Sequence, residues 1–286
     1  MSMATIKGDK STLLLRPMRK QISIIIVFIL LLSIRGNTQK GIEVGGWVGT
    51  SNYFGDLQTS LSFARPNLAG GVLFRYNFDE RISAKSSFNY ARISADDNNS
   101  INSFEFSRQL SFYSDIFELS TQLEFNFFPY VHGSDDENYT PYLFGGITAL
   151  SFTPKREFDG RVFDLRLNGT EGQAIGEEYG KFTLAGLVGV GFKWDINYDW
   201  SFNIEAGLRV AASDFLDDVS TSFPDFNVLR QNRGQTAVLL SDPTNNPLNQ
   251  GRQRGNNRNN DSCVLVGLSL VRYFGRLECP KPSQSR

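Results

Sequence analysis

Three carboxylates, Glu118, Glu124 and Glu205, and four cations, Arg75, Lys85, Lys193 and Arg209, hold most of the chain's chemical potential, because each sits in a stretch whose alternate positions are largely apolar. Along an extended strand such residues all fall on one face, opposite the apolar one. Charges gathered in an enclosed space can relay protons or supply an acid and a base, but they can also simply neutralise one another. Left unpaired, each buried charge would cost several kcal/mol. The pattern therefore reads first as an interior plug that stiffens its scaffold, with a proton path or a catalytic carboxylate pair as the alternative.

Other chemistry is thin. His132 is the only histidine and stands near Asp135, Asp136 and Glu137 between Pro129 and Thr140. The group reads as a solvated turn rather than a metal site. The acidic run Asp214-Phe215-Leu216-Asp217-Asp218 lacks the alternating oxygen ligands of a calcium loop, so it reads as a loop cap or surface charge. Two cysteines are too few for a disulfide scaffold or a four-ligand zinc site. No serine lies in a nucleophile elbow, and no Gly-rich loop precedes a helix. The pairs Gly45-Gly46, Gly70-Gly71 and Gly145-Gly146 fall inside strands, where they permit tight curvature. A net charge of −1 offers no field for nucleic acid. No cofactor, metal, small-molecule substrate or nucleic-acid partner is expected.

The elements that position the charges must be strands. Phenylalanine outnumbers methionine 24 to 3 and there are 26 glycines, a mixture that suits strands and turns rather than helices. Before the fold is read, residues 1–38 are set aside as a secretory signal. Met18-Arg19-Lys20 opens a basic segment, Ile22 to Leu32 is almost unbroken hydrocarbon, and small residues follow at Gly36 and Thr38. Translation is expected to start at Met18. The apolar run is too short to span a bilayer comfortably as a helix, an N-terminal membrane anchor being the alternative. Residues 39–286 contain no apolar run long enough for a transmembrane helix, so a secreted chain that stays in a membrane would do so as a barrel.

The remaining chain alternates accordingly. Phe117, Leu119, Thr121, Leu123, Phe125 and Phe127 interleave with Glu118, Ser120, Gln122, Glu124 and Asn126. The same pattern runs through 68–78, 182–194 and 200–210, and more weakly through 42–50, 82–92, 142–152 and 262–274, giving eight strands. Short connections, such as Asp79-Glu80 and Asp195 to Asp199, alternate with long ones. That asymmetry belongs to an outer-membrane barrel with tight periplasmic turns and extended outer loops. Aromatics cluster where the lipid band should end on the short-turn side: Tyr76, Phe78, Phe127, Phe128, Trp194, Trp200, Tyr273 and Phe274. The expectation is an all-β fold: an eight-stranded antiparallel up-and-down transmembrane barrel over 39–279, with four long extracellular loops and a periplasmic tail at 280–286. A secreted β-sandwich or lipocalin-like barrel is the soluble alternative. Residues 244–261, rich in Asn, Arg, Gln and Gly, read as a mobile outer loop. Cys263 and Cys279 lie at opposite ends of the last strand, roughly 30 Å or more apart, and are not expected to pair. Cys279 could instead cross-link to a partner.

Specific words in the chain resemble the DUF6089 family of Bacteroidetes outer-membrane proteins, the group that contains PorG of the type IX secretion system. They are Ser51-Asn52-Tyr53-Phe54-Gly55-Asp56-Leu57, Asp115 to Leu119, Glu124 to Tyr130, Thr140 to Ile147, Asn168-Gly169-Thr170-Glu171-Gly172-Gln173, Asp214 to Thr221, Gln253-Arg254-Gly255-Asn256 and Asn260-Asp261. They run in order across nearly the whole mature chain. Cys263-Val264 departs from the aromatic-rich strand start that the family more often has. The resemblance implies a non-enzymatic part of a protein-export machine in the outer membrane, contacting the periplasmic ring of the PorK lipoprotein and PorN and, through it, the translocon. On that reading the periplasmic rim is the contact, with Asp135, Asp136 and Glu137 as its best candidate. Rival readings are a general barrel acting in adhesion or membrane integrity through its outer loops and, third, a membrane-embedded enzyme.

Overall fold

The computed structural model describes residues 41–59 and 66–275. The expected signal segment with Met18, the expected tail and Cys279 lie outside the described residues. Nine strands form: β1 (Gly41–Phe54), β2 (Asn67–Asn77), β3 (Ile82–Asp96), β4 (Ser111–Asn126), β5 (Tyr139–Phe158), β6 (Arg161–Asp164), β7 (Phe182–Asp195), β8 (Trp200–Ala211) and β9 (Ser262–Gly275). Eight of them pair antiparallel with their neighbours, β4 pairs with β5, and β1 pairs with β9 from Gly41 opposite Gly275 to Phe54 opposite Ser262, so the sheet closes on itself. β6 pairs only with the far end of β5 and stands outside the barrel wall as a hairpin. Among the described residues no helix is long and apolar enough to cross a membrane.

Alternation decides which way each side chain points. Val48, Leu68, Val72, Leu119, Leu123, Ile147, Leu184, Val188 and Leu270 are exposed on the outside, whereas Glu43, Arg75, Glu124, Lys193 and Asn203 are fully buried inside. An apolar exterior around a charged interior inverts the water-soluble barrel and fits one whose outside meets hydrocarbon. A ring of exposed aromatics closes the apolar band at the short-turn end. Phe125 meets Phe127, Phe128 meets Tyr139, Tyr139 stacks on Phe192, and Arg272 lies over Trp200 and Phe274. Inward glycines let the wall curve: a Cβ on Gly71 would sit 2.3 Å from the Phe88 carbonyl oxygen, and one on Gly146 would sit 2.1 Å from that of Thr121.

The connections split by end. Residues 78–81 and 196–199 are tight turns, while the long connections carry four short helices: α1 (Ser103–Arg108), α2 (Leu165–Asn168), α3 (Phe226–Arg233) and α4 (Gln235–Ser241). These loops pack into a cap. Its core joins Tyr53, Leu57, Leu110, Phe112, Phe152, Leu165, Leu216, Val219 and Leu240. The stretch 244–261 is part of that cap rather than a free loop. Arg254 within it is 1% exposed, and its guanidinium bonds Glu171 and the backbone oxygen of Asp218. Composition missed this because one buried arginine outweighs a run of exposed polar residues.

Candidate functional site

Register brings the predicted interior charges into two groups. Glu43 lies opposite Arg75 across β1 and β2, and the Arg75 guanidinium bonds Glu43 at 2.5 Å and Glu124 at 2.9 Å. Glu124 also receives Lys193 at 2.7 Å and stands 3.9 Å from Lys85, which grips both oxygens of Glu205 at 2.5 Å. The Tyr142 hydroxyl donates to Glu205 as well, and Lys193 lies 4.6 Å from the centre of the Tyr142 ring. Nearer the long loops, Arg209 holds Glu118 at 3.0 and 3.2 Å. Asn89 also donates to Glu118 and is itself fixed by the Trp47 indole. Glu43 and Tyr142 belong to the first group although the charge pattern did not single them out. The alternation of Glu43 with Ile42 and Val44 could have revealed it. Between the two groups, bounded by Trp47, Lys85, Phe144, Glu205 and Arg209, lies a cavity of ≈ 20 Å³, room for about one water. An eight-stranded lumen is just wide enough for side chains to fill.

The lone histidine differs most from its expected setting. His132 does not sit in solvent: the 127–138 connection folds back under the barrel and buries the ring to 2% exposure. Its Nε2 lies 3.2 Å from Glu43 and its Nδ1 3.0 Å from Asp195, while Tyr273 stacks on it at 4.0 Å and Tyr130 meets it edge-on. The Tyr130 hydroxyl donates to Asp195. Burial alone would lower the histidine pKa, but the hydrogen bonds and charges of Asp195 and Glu43 outweigh it and raise the value to about 8. Asp135, Asp136 and Glu137 form the exposed tip of the same connection, joined to its base by the Val131 amide, which donates to the Glu137 carbonyl oxygen. No periodicity marks such a turn, so the sequence held no sign that its histidine turns inward.

At the long-loop end the acidic run is buried rather than spread over the surface. The Tyr53 hydroxyl lies 2.6 Å from both Asp217 and Asp261, each fully buried. One hydroxyl proton can serve only one of them, which disfavours the doubly charged pair. Burial is the main cause that pushes Asp261 up to about 8, with Asp214 adding to it, and burial likewise raises Asp217 well above the usual carboxylate range. Asp218 accepts from Tyr179 and Thr170, and Glu171 accepts from the amides of Ser220 and Thr221. Among the described residues no three His, Cys, Asp or Glu side chains converge as metal ligands. Cys263 is a buried free thiol.

Solved structures align with the chain at very low identity. The N-terminal barrel domain of Pseudomonas aeruginosa OprF is 8% identical, matches 83% of this chain and 100% of its own, and has a TM-score of 0.39. P. aeruginosa OprG gives 12%, 84%, 99% and 0.40, and Neisserial surface protein A gives 8%, 82%, 97% and 0.40. No functionally curated protein is significantly similar to the chain. A family model does match, described as a domain of unknown function, DUF6089, over residues 19–236. That match takes in the charged lumen from β1 to β8, the inward-folded turn and much of the cap, and with it the chain belongs to the DUF6089 family.

Proposed function

We propose that this protein is a non-enzymatic outer-membrane component of the type IX secretion system, which tethers the periplasmic PorK and PorN ring, and with it the translocon, to the membrane. The reading extends the resemblance to PorG-like members of the family. One observation carries it: the lumen is filled by paired charges around a cavity of only ≈ 20 Å³, so the output of the barrel must come from its ends. With the short-turn end in the periplasm, the exposed tip Asp135, Asp136 and Glu137 is presented to the ring on a base held by His132. The lumen plug of Arg75, Lys85, Glu118, Glu124, Lys193, Glu205 and Arg209 keeps that base rigid.

The triple change Asp135→Asn, Asp136→Asn, Glu137→Gln is expected to cut co-purification of the ring lipoprotein by about tenfold, the loss that accompanies 1.4 kcal/mol, while the heat-modifiable folded band on unboiled gels stays. Undiminished co-purification would remove this surface from the account. A second reading, a general barrel acting outward in adhesion or membrane integrity, draws support from the packed cap at the long-loop end. Deleting the gene separates the two: cargo with type IX export signals stays in the periplasm under the first reading and is exported normally under the second.

A further inference from the structure

Beside the cap lies a cleft of ≈ 340 Å³, walled by the 55–59 turn, α1 and residues 253–262. Its walls are built rather than draped. The Arg108 side chain, 4% exposed, donates to the backbone oxygens of Asp56 and Arg254 and to both oxygens of Asp97, tying three loops together. The Asn256 amide donates to Asp56 at 2.7 Å. Gly255 beneath it has no room for a side chain, since a Cβ there would lie 2.4 Å from the same carboxylate. A volume above about 300 Å³ with fixed walls is in the range of small-molecule sites.

The lining tells which chemistry would fit. Phe104 is 42% exposed, with the Arg108 guanidinium 5.0 Å from its ring centre, which leaves apolar ring surface open to a ligand. Around it the side-chain amides of Gln253, Asn259 and Asn260 are exposed and hold no partner among the described residues. Each offers two donors and an acceptor. Glu105 lies deeper and accepts from Thr59, Ser100 and Asn102. The lining's charged residues are two acids, Asp56 and Glu105, and one arginine already committed to Asp97, so an anion finds no free cation here. Phe54 and Phe104 are the lining's only large apolar side chains among the described residues, too few to enclose a lipid chain.

We propose that this cleft binds a neutral carbohydrate. One face of a sugar ring, lined with C–H groups, stacks on Phe104, and its neighbouring hydroxyls exchange hydrogen bonds with the amides of Gln253, Asn259 and Asn260. Recognition of this kind is independent of the tether at the opposite end of the barrel. It also gives a purpose to the Asn-rich and Gln-rich stretch that the export role leaves unused.

The test uses the full-length protein in detergent micelles on an array of oligosaccharides made of glucose, galactose, mannose and N-acetylglucosamine, with sulfated and phosphorylated glycans beside them. The wild type is expected to retain at least one neutral glycan. Phe104→Ala, and separately the surface pair Gln253→Ala and Asn259→Ala, are expected to weaken retention about tenfold or more, with the folded band on unboiled gels unchanged. Three results overturn the proposal: no neutral glycan retained by folded protein, retention undiminished in the surface pair, or retention of charged glycans only.

Discussion

At the scale of single residues, the inner lumen presents a charge count that His132 completes. Glu43, Glu124, Glu205 and Asp195 face Arg75, Lys85 and Lys193, four negative charges against three positive, until the imidazole takes up a proton. The two phenols packed on the ring among the described residues, Tyr130 and Tyr273, are both raised by burial and stay neutral in this range. Because the folded pKa of about 8 exceeds the unfolded value near 6.5, the contribution of His132 is complete below about pH 6.5 and fades as pH rises through about 8. The ring proton resonances of His132 are expected to titrate with a midpoint near 8. The protection factors of the Val131 and Ser134 amides, whose hydrogen bonds close the turn, are expected to fall about tenfold or more, the equivalent of one pKa unit, on passing from pH 6 to pH 9, once the base-catalysed rise of intrinsic exchange is divided out. In His132→Ala that step in protection vanishes and protection is low throughout.

At the scale of elements, the cap shows how far the sequence could be read. Strand positions were legible because alternation repeats over ten residues or more, and Phe117 to Phe127 indeed faces outward at every second residue. The cap was not, since its order comes from contacts between residues far apart in the chain. Tyr53 meets Asp217 and Asp261, Arg108 meets Asp56 and Arg254, and Thr170 meets Asp218. Each had appeared only as a separate word in a different loop, apart from Arg108, which no pattern marked. The raised pKa of the Asp217 and Asp261 carboxyls makes this element lose stability as pH rises, the opposite sense to a carboxylate held low by a cation. A carboxyl raised from 3.8 to about 8 binds its proton more tightly in the folded state, so the stability it contributes is greatest below about pH 4 and declines as pH rises towards about 8. Asp261→Asn removes the acid while its amide oxygen accepts from the Leu216 amide and its NH2 donates to the Tyr53 hydroxyl, which turns its own proton to Asp217. Limited proteolysis of the 212–261 loop is expected to accelerate from pH 5 to pH 8 in the wild type and to stay nearly constant in the variant.

At the scale of the whole molecule, the paired charges act as a brace between strands that are remote in sequence. Lys85 of β3 and Glu205 of β8 reach across the lumen, so Glu205→Ala would leave Lys85 with only the distant Glu124. Breaking a buried pair from one side costs about 3–5 kcal/mol, and the 22% exposure of the Glu205 side chain puts this case at the low end. The folded band on unboiled gels is expected to melt at a lower temperature in the variant, and an unchanged transition would deny the plug its stiffening role. The closure of β1 on β9 has a consequence for how such a molecule comes into being. Until the last fourteen described residues arrive, β1 and β8 each present a bare row of amides and carbonyls, and hydrocarbon tolerates no such row. Insertion must therefore wait for β9, so that the seam between the first and last described strands excludes polypeptides broken off before it.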